Sequence, residues 1–321
     1  MRPSVPDIED NSQITVDLFS SFNIYEDTYK HVDGVPIQAS ILIPKTPSDG
    51  KRPLLVRLHG GAWTEGSGDI WIRPWIPELA LKHNAILVSP DYRLRPEATF
   101  AEIIDDIRDF WVWVEDGLPT ALASASPPAE LDLDNIALTG ESAGGHLAAE
   151  SALLGMTRNP LRIVIPMYPA LDLTEALEFT KREIEYRPVS ILEDYLASSQ
   201  QKVLTRTRNG ARMDLACSMM QNGRLVDPTG PNAYLDPLQS LESAGAQPPY
   251  LVAHGKTDNS VPFSTAEKWA NKLRDLQPEV PLLFAVNEGD HIFDREYTLD
   301  TPWMREPIAF VEKYWPKDNK K

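Results

Sequence analysis

Cysteine occurs once in the 321 residues, at Cys217. An intramolecular disulfide and a thiolate metal cluster are thereby excluded, and a lone cysteine reads as a small buried apolar side chain. Long apolar runs are missing too, so no membrane-spanning helix is expected. Positive charge is scarce: 31 Lys and Arg stand against 47 Asp and Glu, a net charge of −16. Such a chain would be repelled by nucleic acid and by anionic lipid, and neither is expected as a partner. No block of like charge is long enough for an interaction tail, so the excess acid reads as solvated surface. Met1 to Asp10 has neither the apolar core of a secretory signal nor the Arg-rich, acid-poor character of a transit peptide. Lys317 to Lys321 spells no retention or peroxisomal signal. The expected location is the cytoplasm.

What is present is the composition of a globular α/β chain, 42% hydrophobic and 24% charged, without repeats or low-complexity tracts. Phe22 to Tyr29 alternates apolar and polar residues, Asp33-Gly34 signals a turn, and Val35 to Pro44 reads as the second strand of a hairpin. Pro53 to His59 and Ala85 to Pro90 are nearly continuous apolar runs, as buried parallel strands are. Between them Ile76 to His83 reads as helix. Ile103, Ile104, Ile107, Phe110, Trp111 and Val114 then recur at helical spacing. Asn135 to Thr139, Arg162 to Pro169, Pro249 to Gly255 and Pro281 to Val286 read as further strands, with helices at Ser264 to Leu276 and Thr301 to Tyr314. From about Leu171 to Gly245 the alternation lapses into two helices, Glu175 to Tyr186 and Ile191 to Gln200, within loop. The pattern implies one α/β domain, a mostly parallel sheet with helices on both faces, and a helical cap built from about 1–21 and 171–245.

The chemistry centres on Gly140-Glu141-Ser142-Ala143-Gly144-Gly145-His146, between an apolar strand and a run of small helix-forming residues. Strand, sharp turn and helix are the setting of a G-x-S-x-G nucleophile elbow. The turn projects the serine above the sheet and aims a helix N-terminus at it, which favours a developing oxyanion. The bland alternative is a Gly-rich turn with a capping serine. A serine needs a base to take its proton. Of six histidines, His291 and His254 both stand at the carboxyl ends of expected strands, where ligands gather in open α/β sheets. Asp258 stands there too, with an Asx-turn ahead of a helix as its alternative role. Ser142, Asp258 and His291 follow the Ser…Asp…His order of an α/β-hydrolase. His59-Gly60-Gly61-Ala62-Trp63 ends a buried strand, and its backbone N–H groups can join that of Ala143 around one oxyanion. His59 itself reads as a brace for the loop.

Taken together, His59 to Trp63, Asp91-Tyr92-Arg93-Leu94-Arg95-Pro96-Glu97 and Gly140 to His146, with the Asp258 and His291 segments, resemble the signatures of the hormone-sensitive-lipase group of α/β-hydrolase esterases. The resemblance covers roughly Lys51 to Trp315. It implies carboxylesterase activity, no cofactor, and an acyl pocket roofed by the cap. It assigns Ser142 as nucleophile, His291 as base and Asp258 as its orienter. Gly61, Ala62 and Ala143 would donate to the oxyanion, with Gly60 shaping the loop. The chain departs from that group at Ala62, often a third glycine, and at Arg95, usually alanine. Trp63, Trp71 and Trp75 flank the loop and either line the substrate pocket or pack beneath the cap. The expected substrate is a small to medium uncharged ester or lactone. Acyl transfer, dehydration or ring closure at the same site is the alternative reaction, and a ligand-binding receptor the third reading. A homodimer is compatible with the sequence, which does not fix the oligomeric state.

Overall fold

The computed structural model describes residues 1–5, 7–199, 202–208, 210–225 and 236–317. A short strand β1 (Arg2–Pro3) and helix α1 (Gln13–Phe19) precede the hairpin β2 (Phe22–Val32) and β3 (Val35–Pro44). The hairpin turns at Asp33-Gly34, both at positive φ (49° and 80°), as a type I′ turn requires. Alternation follows through β4 (Arg52–Leu58), α2 (Trp75–Lys82), β5 (Ile86–Pro90), α3 (Phe100–Asp116), α4 (Leu118–Ala123), β6 (Leu131–Glu141), α5 (Ala143–Leu153) and β7 (Leu161–Met167). A helical region interrupts it: α6 (Leu173–Glu183), α7 (Ser190–Ser198), α8 (Met213–Gln221) and α9 (Pro237–Ser240). The chain closes through β8 (Tyr250–Gly255), α10 (Phe263–Leu276), β9 (Leu282–Asn287) and α11 (Arg305–Tyr314).

The sheet runs β1-β2-β3-β5-β4-β6-β7-β8-β9, antiparallel as far as β3·β5 and parallel from β5 onward. Its central strands bury both faces, and successive side chains divide between two cores. Leu54 and Val56, Ile86 and Val88, and Tyr250 and Val252 join Ile107, Trp111, Leu147 and Trp269 from α3, α5 and α10. Leu55, Leu87, Leu251 and Ala253 join Phe19, Ile76, Leu79, Ile308 and Val311 from α1, α2 and α11. This period-two division across a helix-covered sheet is why the strands read as continuous apolar runs. Helix α3 starts where a capping box holds it, with Glu102 N donating to Thr99 Oγ1 at 3.2 Å and Thr99 N to Glu102 Oε2 at 2.7 Å. The fold class expected from the pattern is the one observed.

The helical region is richer than its sequence suggests. The two expected helices are α6 and α7; α8 and α9 read as loop. Helix α8 lies between Gly210 and Gly223 and has only 9 residues, so its apolar spacing runs for little more than two turns. It is helical because Leu215, Ala216 and Met219 bury against the rest of the molecule, a tertiary reward that local propensity does not carry. Within the expected 171–245 cap, residues 200–201, 209 and 226–235 lie outside the described residues. The closing helix begins at Arg305 instead of Thr301, because Pro302–Met304 forms a tighter 3₁₀ turn ahead of it.

Candidate active site

Four parallel strands deliver the chemistry to one edge of the sheet. β6 ends at Glu141, and Ser142 turns the chain into α5 with φ 54° and ψ −117°. The turn is held by Ser142 N donating to Met167 O at 2.9 Å and His146 N donating to Ser142 O at 3.1 Å. Its tightness dictates the glycines. A Cβ on Gly140 would stand 2.2 Å from Gly144 O, and one on Gly144 would stand 2.0 Å from Leu58 O. Both contacts are with backbone, which cannot swing aside.

His291 lies in the loop after β9, and Asp258 in the loop between β8 and α10. The three side chains form one hydrogen-bonded chain. His291 Nε2 is 3.2 Å from Ser142 Oγ, and His291 Nδ1 is 2.7 Å from Asp258 Oδ2. Asp258 Oδ1 accepts from the backbone N–H groups of Ser260 (2.9 Å) and Val261 (2.8 Å). The Asx-turn and the contact with His291 are therefore both present in one carboxylate. An ionised carboxylate can only accept, so Nδ1 of His291 carries the proton and Nε2 is left to accept from the serine hydroxyl.

His254, at the end of β8, does not reach the serine contact. Its Nε2 lies 3.2 Å from Asp258 Oδ2 and 3.0 Å from Val261 O, both acceptors, so that nitrogen carries the proton. Asp258 thus receives four donors. Burial pushes its carboxyl up, but the hydrogen bonds from His254 and His291 outweigh burial and hold it well below the usual carboxylate range. His59 is fully buried and stacks on Tyr92 (4.1 Å between centroids), with Nδ1 2.8 Å from Gly60 O. Burial lowers its pKa to about 3, so it stays a neutral support for the loop.

These groups open on a cavity of about 690 Å³. Gly60, Gly61, Ala62, Ala143, Ser142 and His291 line its floor. Leu173, Ala176 and Leu177 of α6, with Met213, Cys217 and Met220 of α8, form an apolar wall, and Glu9, Asp10, Asn11 and Ser12 close the N-terminal side. Trp63 and Trp71 belong to the lining, although the Trp63 indole is 4% exposed and packs on Phe100 and His146. Trp75 is a correction. It lies outside the lining, 1% exposed in the core beneath α2, and its Nε1 donates to Asp294 Oδ2 at 2.9 Å. Its helix faces the sheet, so proximity in sequence to the loop did not become proximity to the cavity.

Sequence reasoning missed a charged cluster beneath the site. Arg57, on the buried strand β4, pairs with Glu141 next to Ser142 at 3.0 Å, and both are at most 2% exposed. Tyr168 donates to Asp294 Oδ1 at 2.8 Å, and its ring meets His291 edge-on at 4.8 Å. An arginine inside an otherwise apolar strand was the one available signal. Among the described residues no group of three or more His, Cys, Asp or Glu is arranged to hold a metal ion, and no helix is long and apolar enough to cross a membrane.

Residues 55–294 match the family model described as alpha/beta hydrolase fold. The chain belongs to the alpha/beta hydrolase fold family. A probable carboxylesterase, M8, of Phoma sp. is 32% identical over 92% of this chain and 98% of its own length. The non-reducing polyketide synthase Preu6 of Preussia isomera is 25% identical over 85% of this chain but only 14% of the synthase. Among solved structures, an esterase of Pyrobaculum calidifontis is 26% identical and covers 94% of this chain and 87% of its own, with a TM-score of 0.62. The likenesses to the carboxylesterase and to the esterase support a general ester-hydrolase activity for this alpha/beta hydrolase.

Proposed function

We propose that this alpha/beta hydrolase is a cytoplasmic serine carboxylesterase of the hormone-sensitive-lipase group, acting on small to medium esters or lactones. In this reading the chain is one domain, capped by about 1–21 and 171–245. One observation carries the proposal: the hydrogen-bonded series Asp258, His291, Ser142 (2.7 and 3.2 Å) opening on a cavity of about 690 Å³.

Ser142 Oγ attacks the ester carbonyl while His291 Nε2 takes its proton. The carbonyl oxygen becomes an oxyanion facing the N–H groups of Gly61, Ala62 and Ala143, with Gly60 leaving room for the loop. Loss of one such donor typically costs about 3 kcal/mol of barrier. The intermediate collapses to an acyl-enzyme, and the alcohol leaves with the proton from His291. Water, deprotonated by the same imidazole, then attacks the acyl carbonyl and releases the acid. Asp258 keeps His291 in the tautomer both steps need.

Fluorophosphonate labelling with mapping of the adduct tests the reading. Label on Ser142, turnover of 4-nitrophenyl butyrate, and loss of both in Ser142→Ala are expected. A folded protein that neither labels nor turns over esters would overturn it. The likeness to part of a polyketide synthase favours a second reading, in which the same acyl-enzyme is resolved by acyl transfer or ring closure instead of water. A labelled Ser142 with no ester hydrolysis would select that one.

A further inference from the structure

The proposed reaction uses Ser142, His291, Asp258 and backbone amides, and leaves a buried cation of the cavity, Arg73, without a task. Arg73 lines the cavity although it is only 9% exposed. Its Nε donates to Tyr168 Oη at 3.1 Å and stands 3.4 Å from Asp294 Oδ1, and its Nη1 donates to Trp71 O at 3.1 Å. Its Nη2 has no hydrogen-bond partner among the described residues, and it is not one of the atoms sealed away from open space. Asp294 cannot turn to meet it, because its two oxygens already accept from Tyr168 Oη (2.8 Å) and Trp75 Nε1 (2.9 Å). Arg57, the other buried arginine of the lining, spends its donors on Glu141 and on the carbonyls of Gly68 and Trp71. Arg73 is therefore held through Nε and Nη1 and leaves one nitrogen, Nη2, with its N–H donors unclaimed at the cavity lining.

The cation is secure. Burial alone would depress its pKa, but Tyr168, Asp294 and Glu141 overrule burial and raise it above the ordinary arginine value. It is also close to the chemistry, since the tyrosine that holds it packs edge-on against His291. Arg295, exposed on the same loop as His291, adds a further positive charge to the lining. Glu9, Asp10, Glu65 and Asp290 also line the cavity and oppose an anion beside them, so an acid group is favoured only next to the arginines.

We propose that Arg73 forms an anion subsite inside the active cavity, and that the natural substrate is an ester bearing a carboxylate in addition to its ester group. This deepens the esterase reading and rests on it. It also replaces the uncharged substrate expected from sequence, where Arg73 stands in a loop without a motif. The free Nη2 N–H donors bind a carboxylate oxygen by charge-assisted hydrogen bonding, and the apolar wall of α6 and α8 takes the hydrocarbon.

The test compares matched ester pairs by pH-stat: monoethyl adipate against ethyl hexanoate for an acid on the acyl side, and 3-carboxyphenyl butyrate against phenyl butyrate for an acid on the alcohol side. In wild type the carboxylated member of one pair should have the higher kcat/KM. In Arg73→Met its advantage over the neutral partner should fall roughly 10-fold or more, the span of a charge-assisted hydrogen bond. Arg73→Lys, which keeps the charge and loses the planar guanidinium, should retain part of it. Fluorophosphonate labelling of Ser142 in each variant checks that the site is formed. If Arg73→Met fails to label, the wild-type and Arg73→Lys ratios decide. Wild type that labels and hydrolyses the neutral esters but shows no preference for either acid, or a ratio unmoved by Arg73→Met, overturns the subsite and leaves the esterase reading standing. Absence of labelling and of all turnover in wild type overturns the reading beneath it.

Discussion

Replacing Ser142 by glycine should leave the protein more stable than replacing it by alanine, the reverse of the usual order. Ser142 holds φ 54° and ψ −117°, the combination of the first central position of a type II′ turn, which suits glycine. A residue with a Cβ held in such a region costs of order 1–3 kcal/mol. Ser142→Ala removes the hydroxyl and its contact with His291, worth about 0.5–1.5 kcal/mol, but keeps the Cβ and its strain. Ser142→Gly loses the same contact and relieves the strain, while the freer unfolded chain takes back about 0.4–1 kcal/mol. The glycine variant should therefore exceed the alanine variant by about 0.5–2 kcal/mol. At an unstrained site it would fall roughly 0.5–1 kcal/mol below. Urea unfolding followed by fluorescence of the eight tryptophans measures the difference. With an m-value of about 3 kcal/mol/M, the midpoints should separate by about 0.2–0.7 M. Equal midpoints, or alanine above glycine, would refute the claim that the elbow stores strain.

His254→Phe removes one of the two imidazole donors to Asp258 and should lower kcat about 2- to 10-fold with little change in KM, whereas a merely structural role would lower the melting point and leave kcat of the folded fraction intact. Glu150 is fully buried on α5, and burial pushes its pKa up to about 8. The folded chain holds a proton there that the unfolded chain releases near the ordinary carboxyl pKa. Its stabilising share is therefore complete below that pKa and lost as pH rises through about 8. Glu150→Gln should flatten this decline in urea midpoints between about pH 5 and 8, and an unchanged slope would count against it. Arg206 ties the segment ahead of α8 to the sheet by ion pairs with Glu26 and Asp91, whose side chains are 9% and 1% exposed. Burial has already pushed Asp91 up to about 6 against the opposing pull of Arg206. Arg206→Ala should destabilise by about 3 kcal/mol at neutral pH and by less near pH 5, where Asp91 can take a proton; a neutral effect at pH 7 would show that the pair contributes nothing.

Some of this protein is written locally. The apolar runs at Leu54 to Leu58 and Ile86 to Ser89, the Asp33-Gly34 turn and the spaced Ile and Phe residues of α3 each declare an element within a few residues, because backbone period and turn sterics act at that range. Gly140 to Gly145 is legible for the same reason: its glycines are required wherever a strand turns that sharply into a helix. Ser142, Asp258 and His291 could be nominated because each follows a strand, and strand ends of a parallel sheet share one edge. What the sequence by itself could not determine is which side chains meet across that edge. His254 and His291 occupy equivalent places in the pattern, yet one reaches Ser142 and the other only braces Asp258. Trp71 lines the cavity while Trp75, four residues on, packs into the core. Arg73 gains its meaning from Tyr168 and Asp294, separated from it by 95 and 221 positions. The first accepts a hydrogen bond from Arg73 and the second forms an ion pair with it. Packing between distant segments is set by the whole sheet and the helices around it, and it leaves no local period or motif by which it could be read.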